Sequence, residues 1–194
     1  MIRIAILASG SGSNAENIVQ HFNNHPEIKV SCIVCNRRDA KVFQRAKKLE
    51  IPSHYFPKSD FYQSEKVLHL LKEQADWIVL AGFLLKIPLN ILDAFPDNIV
   101  NIHPALLPKF GGKGMYGMHV HKAVREMNET ETGITIHRVN ENYDEGAVLY
   151  QAKTFVSKSD TPEDIAAKIH LLEQKHFPKV IENTILQQHS TSKK

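Results

Sequence analysis

Near-continuous apolar runs recur at Ile2–Ala8, Lys29–Cys35, Trp77–Phe83, Ile99–His103, Thr132–Val139 and Ala147–Phe155, and they predict strands, several of them buried on both faces. Between most of them the apolar positions follow a helical period, over Asn14–Asn24, Ala40–Glu50, Phe61–Gln74, roughly His119–Met127 and Pro162 to about Gln187. The first half reads β-α-β-α, which predicts a parallel, right-handed wound sheet. The two late strands are close in sequence and predict an antiparallel addition. The expected fold class is therefore α/β, a mostly parallel wound sheet with a Rossmann-like N-terminal half and an antiparallel late strand. Repeats, low-complexity segments and linkers are missing, so residues 1–188 are expected to form one domain, followed by a disordered tail, His189–Lys194.

Composition narrows the function classes. At 194 residues, 42% hydrophobic and 23% charged, the chain can bury a core without disulfides or metals. Its 24 basic and 21 acidic residues leave a formal charge of +3, too balanced for a protein that neutralises many nucleic-acid phosphates. A small anionic ligand fits that balance. No apolar run approaches the ~20 residues that span a bilayer, and MIRIAILASG lacks the length and cleavage site of a secretory signal, so neither membrane nor nucleic acid is an expected partner. The expected compartment is the cytoplasm. Cys32 and Cys35 lie on one predicted strand with side chains on opposite faces, which predicts two core thiols; a redox CxxC needs a helix N-terminus, and a zinc ribbon needs a second CxxC.

Three segments carry candidate chemistry. After the first strand, Ser9-Gly-Ser-Gly-Ser-Asn14 leads into an amphipathic helix, an arrangement that presents backbone N–H groups to a phosphate. An ordinary capped βα turn is the alternative. No acidic residue follows the second strand as a dinucleotide site would require; Asn36-Arg-Arg38 stands there instead. In Ile99-Val-Asn-Ile-His-Pro104, strand alternation places Asn101 and His103 on one face, an amide donor and an imidazole suited to stabilising an oxyanion and moving a proton. Both could equally be satisfied by loop backbone. Asp144, in the polar stretch Val139–Gly146, would raise the His103 pKa and keep the imidazole protonated near neutrality if the fold brought the two together.

The remaining histidines compete for a role. His103, His119, His121 and His137 could be drawn as a zinc site, but an i, i+2 pair on a helix diverges by about 200°, so His119 and His121 are not expected to share a metal. No metal is expected. Gly111–Gly117 holds four of the nine glycines and predicts a mobile loop whose ordering accompanies ligand binding.

Taken together, Ser9–Asn14, Val79-Leu-Ala-Gly-Phe83, Asn101-Ile-His-Pro-Ala-Leu-Leu-Pro108 and Asp144-Glu-Gly146 resemble, in order and spacing, the phosphoribosylglycinamide (GAR) formyltransferase family of the 10-formyltetrahydrofolate superfamily. The likeness runs over nearly the whole chain. It implies the formyltransferase fold, GAR and 10-formyltetrahydrofolate as substrates, the latter a co-substrate, no metal, and formyl transfer to the GAR amine in purine biosynthesis. The resemblance puts Asn101, His103 and Asp144 on the family's catalytic positions, and Gly12, Ser13, Asn14 and Glu173 on its GAR-binding positions. It assigns folate binding to Leu84, Leu85, Lys86 and Ile87 and to backbone around Val139, Asn140 and Glu141. Two departures stand out: Leu85 replaces a residue that is often basic, and the insertion Gly111–Gly117 lengthens the loop before His119. The sequence leaves the oligomeric state open.

Overall fold

The computed structural model describes residues 1–191. The chain divides into two compact units, Met1–Asn101 and the remainder from Ile102 onward.

The first unit is a wound parallel sheet. Its strands are β1 (Ile2–Ala8), β2 (Ile28–Cys35), β3 (Ser53–Tyr55), β4 (Trp77–Leu80) and β5 (Ile99–His103), the last of which carries the chain across the unit boundary. They lie in the order β3-β2-β1-β4-β5, each neighbouring pair parallel. Helices α1 (Ser13–His21), α2 (Val42–Lys48), α3 (Lys58–Tyr62), α4 (Lys66–Gln74) and α5 (Leu89–Ala94) form the connections. Ile4, Ile6 and Leu7 of β1, Ile33 of β2 and Ile78 of β4 are fully buried, the signature of strands covered on both sides. Cys32 and Cys35 are buried free thiols on β2.

The second unit pairs β6 (Glu131–Arg138) with β7 (Val148–Phe155) in an antiparallel ladder, with α6 (Met118–Glu126) and the 30-residue α7 (Pro162–Thr191) completing it. The predicted α/β class, with a parallel first half and an antiparallel late pair, is what the chain adopts. Among the described residues no helix is long and apolar enough to cross a membrane.

Three local expectations need correction. The single helix expected over Phe61–Gln74 is two helices, α3 and α4; Ser64 in the break donates to Asp60 O and accepts from Lys66 N, competing with a continuous helical ladder. Strand β3 and helix α5 were not expected, because three residues, two of them exposed, and six residues carry too little periodicity to be read. The tail expected from His189 continues α7 through Thr191, and its last three positions lie outside the described residues.

Candidate active site

The glycine loop is clamped from one side. Gly12 adopts φ +75 as the N-cap of α1, and Ser13 and Asn14 follow it in the first turn. A Cβ at Gly12 would lie 2.5 Å from Val42 Cγ2 and 2.9 Å from Val42 Cα, which explains why glycine is needed there. Val42 N donates to Gly10 O, and Arg45 donates from Nε to Ser11 O at 2.9 Å while pairing with Glu16. Helix α2 therefore holds the loop in place.

On β5 the burial pattern sets Val100 and Ile102 into the core, leaves Asn101 half-buried, and buries His103 to 3% exposure. The turn after β5 is pinned to the β6–β7 ladder. Thr135 donates to Ala105 O at 2.7 Å and accepts from Leu107 N at 3.0 Å, and Gln151 Nε2 reaches both Thr135 Oγ1 and Leu107 O. This network fixes the end of the strand on which His103 sits.

His103 Nε2 lies 2.8 Å from Phe110 O. A carbonyl only accepts, so that nitrogen carries the hydrogen. The other nitrogen, Nδ1, faces Asp144 Oδ2 at 3.5 Å. On the far side of the same carboxylate, His137 Nε2 stands 3.6 Å from Oδ1, while His137 Nδ1 donates to Arg138 O at 2.8 Å. Gly112 N completes the set, donating to Asp144 Oδ2 at 2.9 Å. Both rings set one nitrogen against a backbone carbonyl and the other against the carboxylate, so a second ring hydrogen, once taken up, points at Asp144. The cluster is thus arranged to accept a proton between carboxylate and ring.

Electrostatics correct one expectation. Burial pushes the His103 imidazole below its ordinary value and outweighs the opposing pull of Asp144 and the Phe110 carbonyl, with His137 adding to the lowering. Asp144 does not keep His103 protonated at neutrality; desolvation of a ring that is nearly inaccessible wins. For Asp144, burial works to raise the pKa, but His137, the His103 charge and the Gly112 N–H together hold the carboxyl below the usual carboxylate range.

The structure joins His103 and Asp144 as expected and adds His137, Gly112 and Phe110, which sequence reasoning left out of the site. His137 had a signal: with Thr135 it places polar groups on one face of an otherwise apolar strand. The register shifts opposite it, where Leu149 of β7 is left between the partners of Ile136 and His137. On α6, His119 is exposed and edge-on to Tyr116, whereas His121 is buried, so the two diverge as the helical spacing predicts. His121 Nδ1 has no hydrogen-bond partner and feels the His103 charge. Among the described residues no group of three or more His, Cys, Asp or Glu is placed to hold a metal ion.

Of the other expected positions, Ser13 and Asn14 open the first turn of α1, Leu84 and Lys86 are exposed, Leu85 is half-buried and Ile87 is buried. Val139 is half-buried and Asn140 and Glu141 are exposed in the turn after β6, where Asn140 Oδ1 accepts from Asn142 N. Glu173 lies on α7, its Oε2 3.6 Å from His170 Nδ1.

The profile of the formyl transferase family matches residues 2–181. The chain belongs to the formyl transferase family. Among its relatives, a protein of Arabidopsis thaliana named phosphoribosylglycinamide formyltransferase, chloroplastic, is 40% identical over 92% of this chain and 64% of its own length. A cowpea (Vigna unguiculata) protein of the same name is 38% identical, and the chain spans 60% of it. The chain thus spans less than two thirds of these two plant relatives, but 95% of a 33%-identical phosphoribosylglycinamide formyltransferase of Bacillus subtilis. The crystal structure of phosphoribosylglycinamide formyltransferase from Bacillus halodurans superimposes with a TM-score of 0.84 at 35% identity, covering 93% of this chain and 94% of that one.

Proposed function

We propose that this member of the formyl transferase family moves the formyl group of 10-formyltetrahydrofolate to the amine of GAR in purine biosynthesis. The observation that carries the reading is the His103–Asp144 pair at 3.5 Å on the strand that also presents Asn101, in a chain whose relatives bear that enzyme's name. The substrate amine is itself the nucleophile, so no protein nucleophile is needed. Asn101 and the His103 Nε2–H act as donors to the oxygen on which negative charge grows as the amine attacks the formyl carbon. Nε2 already donates to a carbonyl oxygen, that of Phe110, which marks the direction an oxyanion would occupy. The neutral ring suffices as donor at rest. Attack forms the new C–N bond, Asp144, held ionised, favours uptake of the amine proton on His103 Nδ1, and as the oxyanion collapses the C–N10 bond breaks and that proton goes to N10.

Gly12, Ser13 and Asn14 are assigned to the GAR phosphate through the α1 N-terminus, and Glu173 to the glycinamide amine. Leu84, Leu85, Lys86, Ile87 and the backbone of Val139–Glu141 are assigned to the folate. The buried, unpartnered His121 Nδ1 suits a site built to receive a polar ligand group. One profile spanning residues 2–181 supports reading residues 1–188 as a single formyltransferase domain. Two free, buried thiols agree with a cytoplasmic location.

The test mixes purified protein with GAR and 10-formyltetrahydrofolate and follows folate product absorbance. Turnover that requires GAR, and that falls about 10²–10³-fold in His103→Ala, is expected. Formate release at the same rate without GAR would instead make the protein a hydrolase, with water as the acceptor. Phosphate-ligand binding with no transfer at all would leave a non-catalytic binding module.

A further inference from the structure

Ser9, the residue that follows β1, is 2% exposed and belongs to none of the groups assigned above. Its backbone N–H donates to Gly82 O at 3.0 Å. Its hydroxyl donates to Asn36 Oδ1 at 2.6 Å and accepts from Leu84 N at 2.9 Å. A hydroxyl has one proton and two lone pairs. The Asn36 carbonyl oxygen only accepts, so it takes that proton, and the lone pairs are left turned toward Leu84. Asn36, just past the C-terminal end of β2, therefore sets the hydroxyl rotor, and Ser9 grips both ends of the Gly82–Leu84 turn, where Gly82 has φ +72.

This arrangement ties the start of the glycine loop to the start of the segment after β4. We propose that Ser9 is a positioning residue that couples the phosphate loop to the folate segment through the relay Asn36–Ser9–Leu84. The inference rests on the functional reading above, in which those two segments serve different substrates. A ligand that tightens residues 10–14 beyond the hold of α2 tightens Ser9 with them and, through its hydroxyl, the Leu84 backbone. Each substrate then finds the other's loop already set, and the two bind with positive coupling.

Three variants test the relay. Ser9→Ala is expected to raise the KM of both GAR and 10-formyltetrahydrofolate about ten-fold while kcat stays within about three-fold, because the reacting groups are untouched. Asn36→Leu removes only the group that orients the hydroxyl and raises both KM values by a smaller factor. Asn36→Asp keeps an acceptor oxygen and returns both to within about two-fold of the parent protein. Amide hydrogen exchange gives a readout independent of turnover: Leu84 should exchange about ten-fold faster in Ser9→Ala, with Val79 inside β4 unchanged. Unaltered KM values in Ser9→Ala, a loss confined to kcat, or unaltered Leu84 exchange would each overturn the proposal. Should the parent protein fail to transfer a formyl group, the functional reading falls, and Leu84 exchange alone then decides whether the relay exists.

Discussion

Replacing Asp144 with asparagine removes one negative charge while keeping an oxygen for the Gly112 N–H, so the loop retains its anchor. The charge stands 3.5 Å from His103 Nδ1. At an effective dielectric of about 20, appropriate to such a site, a unit charge at that distance stabilises an imidazolium by up to about 5 kcal/mol. At about 1.4 kcal/mol per pKa unit, the Asn variant loses as much as about three decades of protonated His103 at a given pH. Burial already holds this imidazole below its ordinary value, and of the groups that oppose it only the Phe110 carbonyl remains in the variant. The kcat/KM for formyl transfer should fall about 10²–10³-fold, with KM values for both substrates within a few-fold of the parent. The assay is folate product absorbance from pH 5 to 9 at saturating and subsaturating GAR. An Asp144→Asn enzyme within about three-fold of the parent across that range would refute the electrostatic account of the cluster.

Other substitutions probe separate parts of the molecule. Gly12→Ala forces a left-handed backbone onto alanine and drives its Cβ into Val42, so it should destabilise by about 2–4 kcal/mol in urea unfolding and raise the GAR KM more than the folate KM; equal KM changes would count against the phosphate-loop assignment. His121→Leu removes a buried nitrogen with no partner and should stabilise the protein by about 1 kcal/mol at pH 6. The folded pKa of His121 lies below its unfolded value, through burial first and the His103 charge second, so the unfolded chain binds more protons in the window between them. The stability this contributes is complete above about 6.5 and is lost as pH falls through the folded pKa. Thermal melts from pH 7 to 5 should therefore fall less steeply for His121→Leu than for the parent, and parallel curves would show that His121 does not titrate in this way. Glu173→Ala should raise the GAR KM at least about ten-fold while leaving the folate KM within about two-fold, and a converse pattern would move Glu173 out of the GAR site.

Much of the wound half is readable in the sequence because its signals are local. Strands β1, β2 and β4 announce themselves as near-continuous apolar runs, and the glycines between β1 and α1 mark a turn that a left-handed residue makes at Gly12. Alternation on β5 is equally local, so strand periodicity alone puts Asn101 and His103 on one face. The split between α3 and α4 is not readable, because one serine hydroxyl, bonded to the backbone of Asp60 and Lys66 on either side of the break, competes with the helical ladder there.

The sequence by itself determined which backbone forms each long element and which polar side chains share a strand face, since periods of 2 and 3.6 are properties of neighbours in the chain. Only the tertiary structure decided that Asp144, distant in the chain, reaches His103 and that His137 closes on the other carboxylate oxygen. The protonation state of His103 was likewise beyond the chain's linear order. Desolvation depends on what surrounds a ring on every side, and around His103 stand Asp144, His137 and the Phe110 carbonyl, none of them its neighbours in the chain.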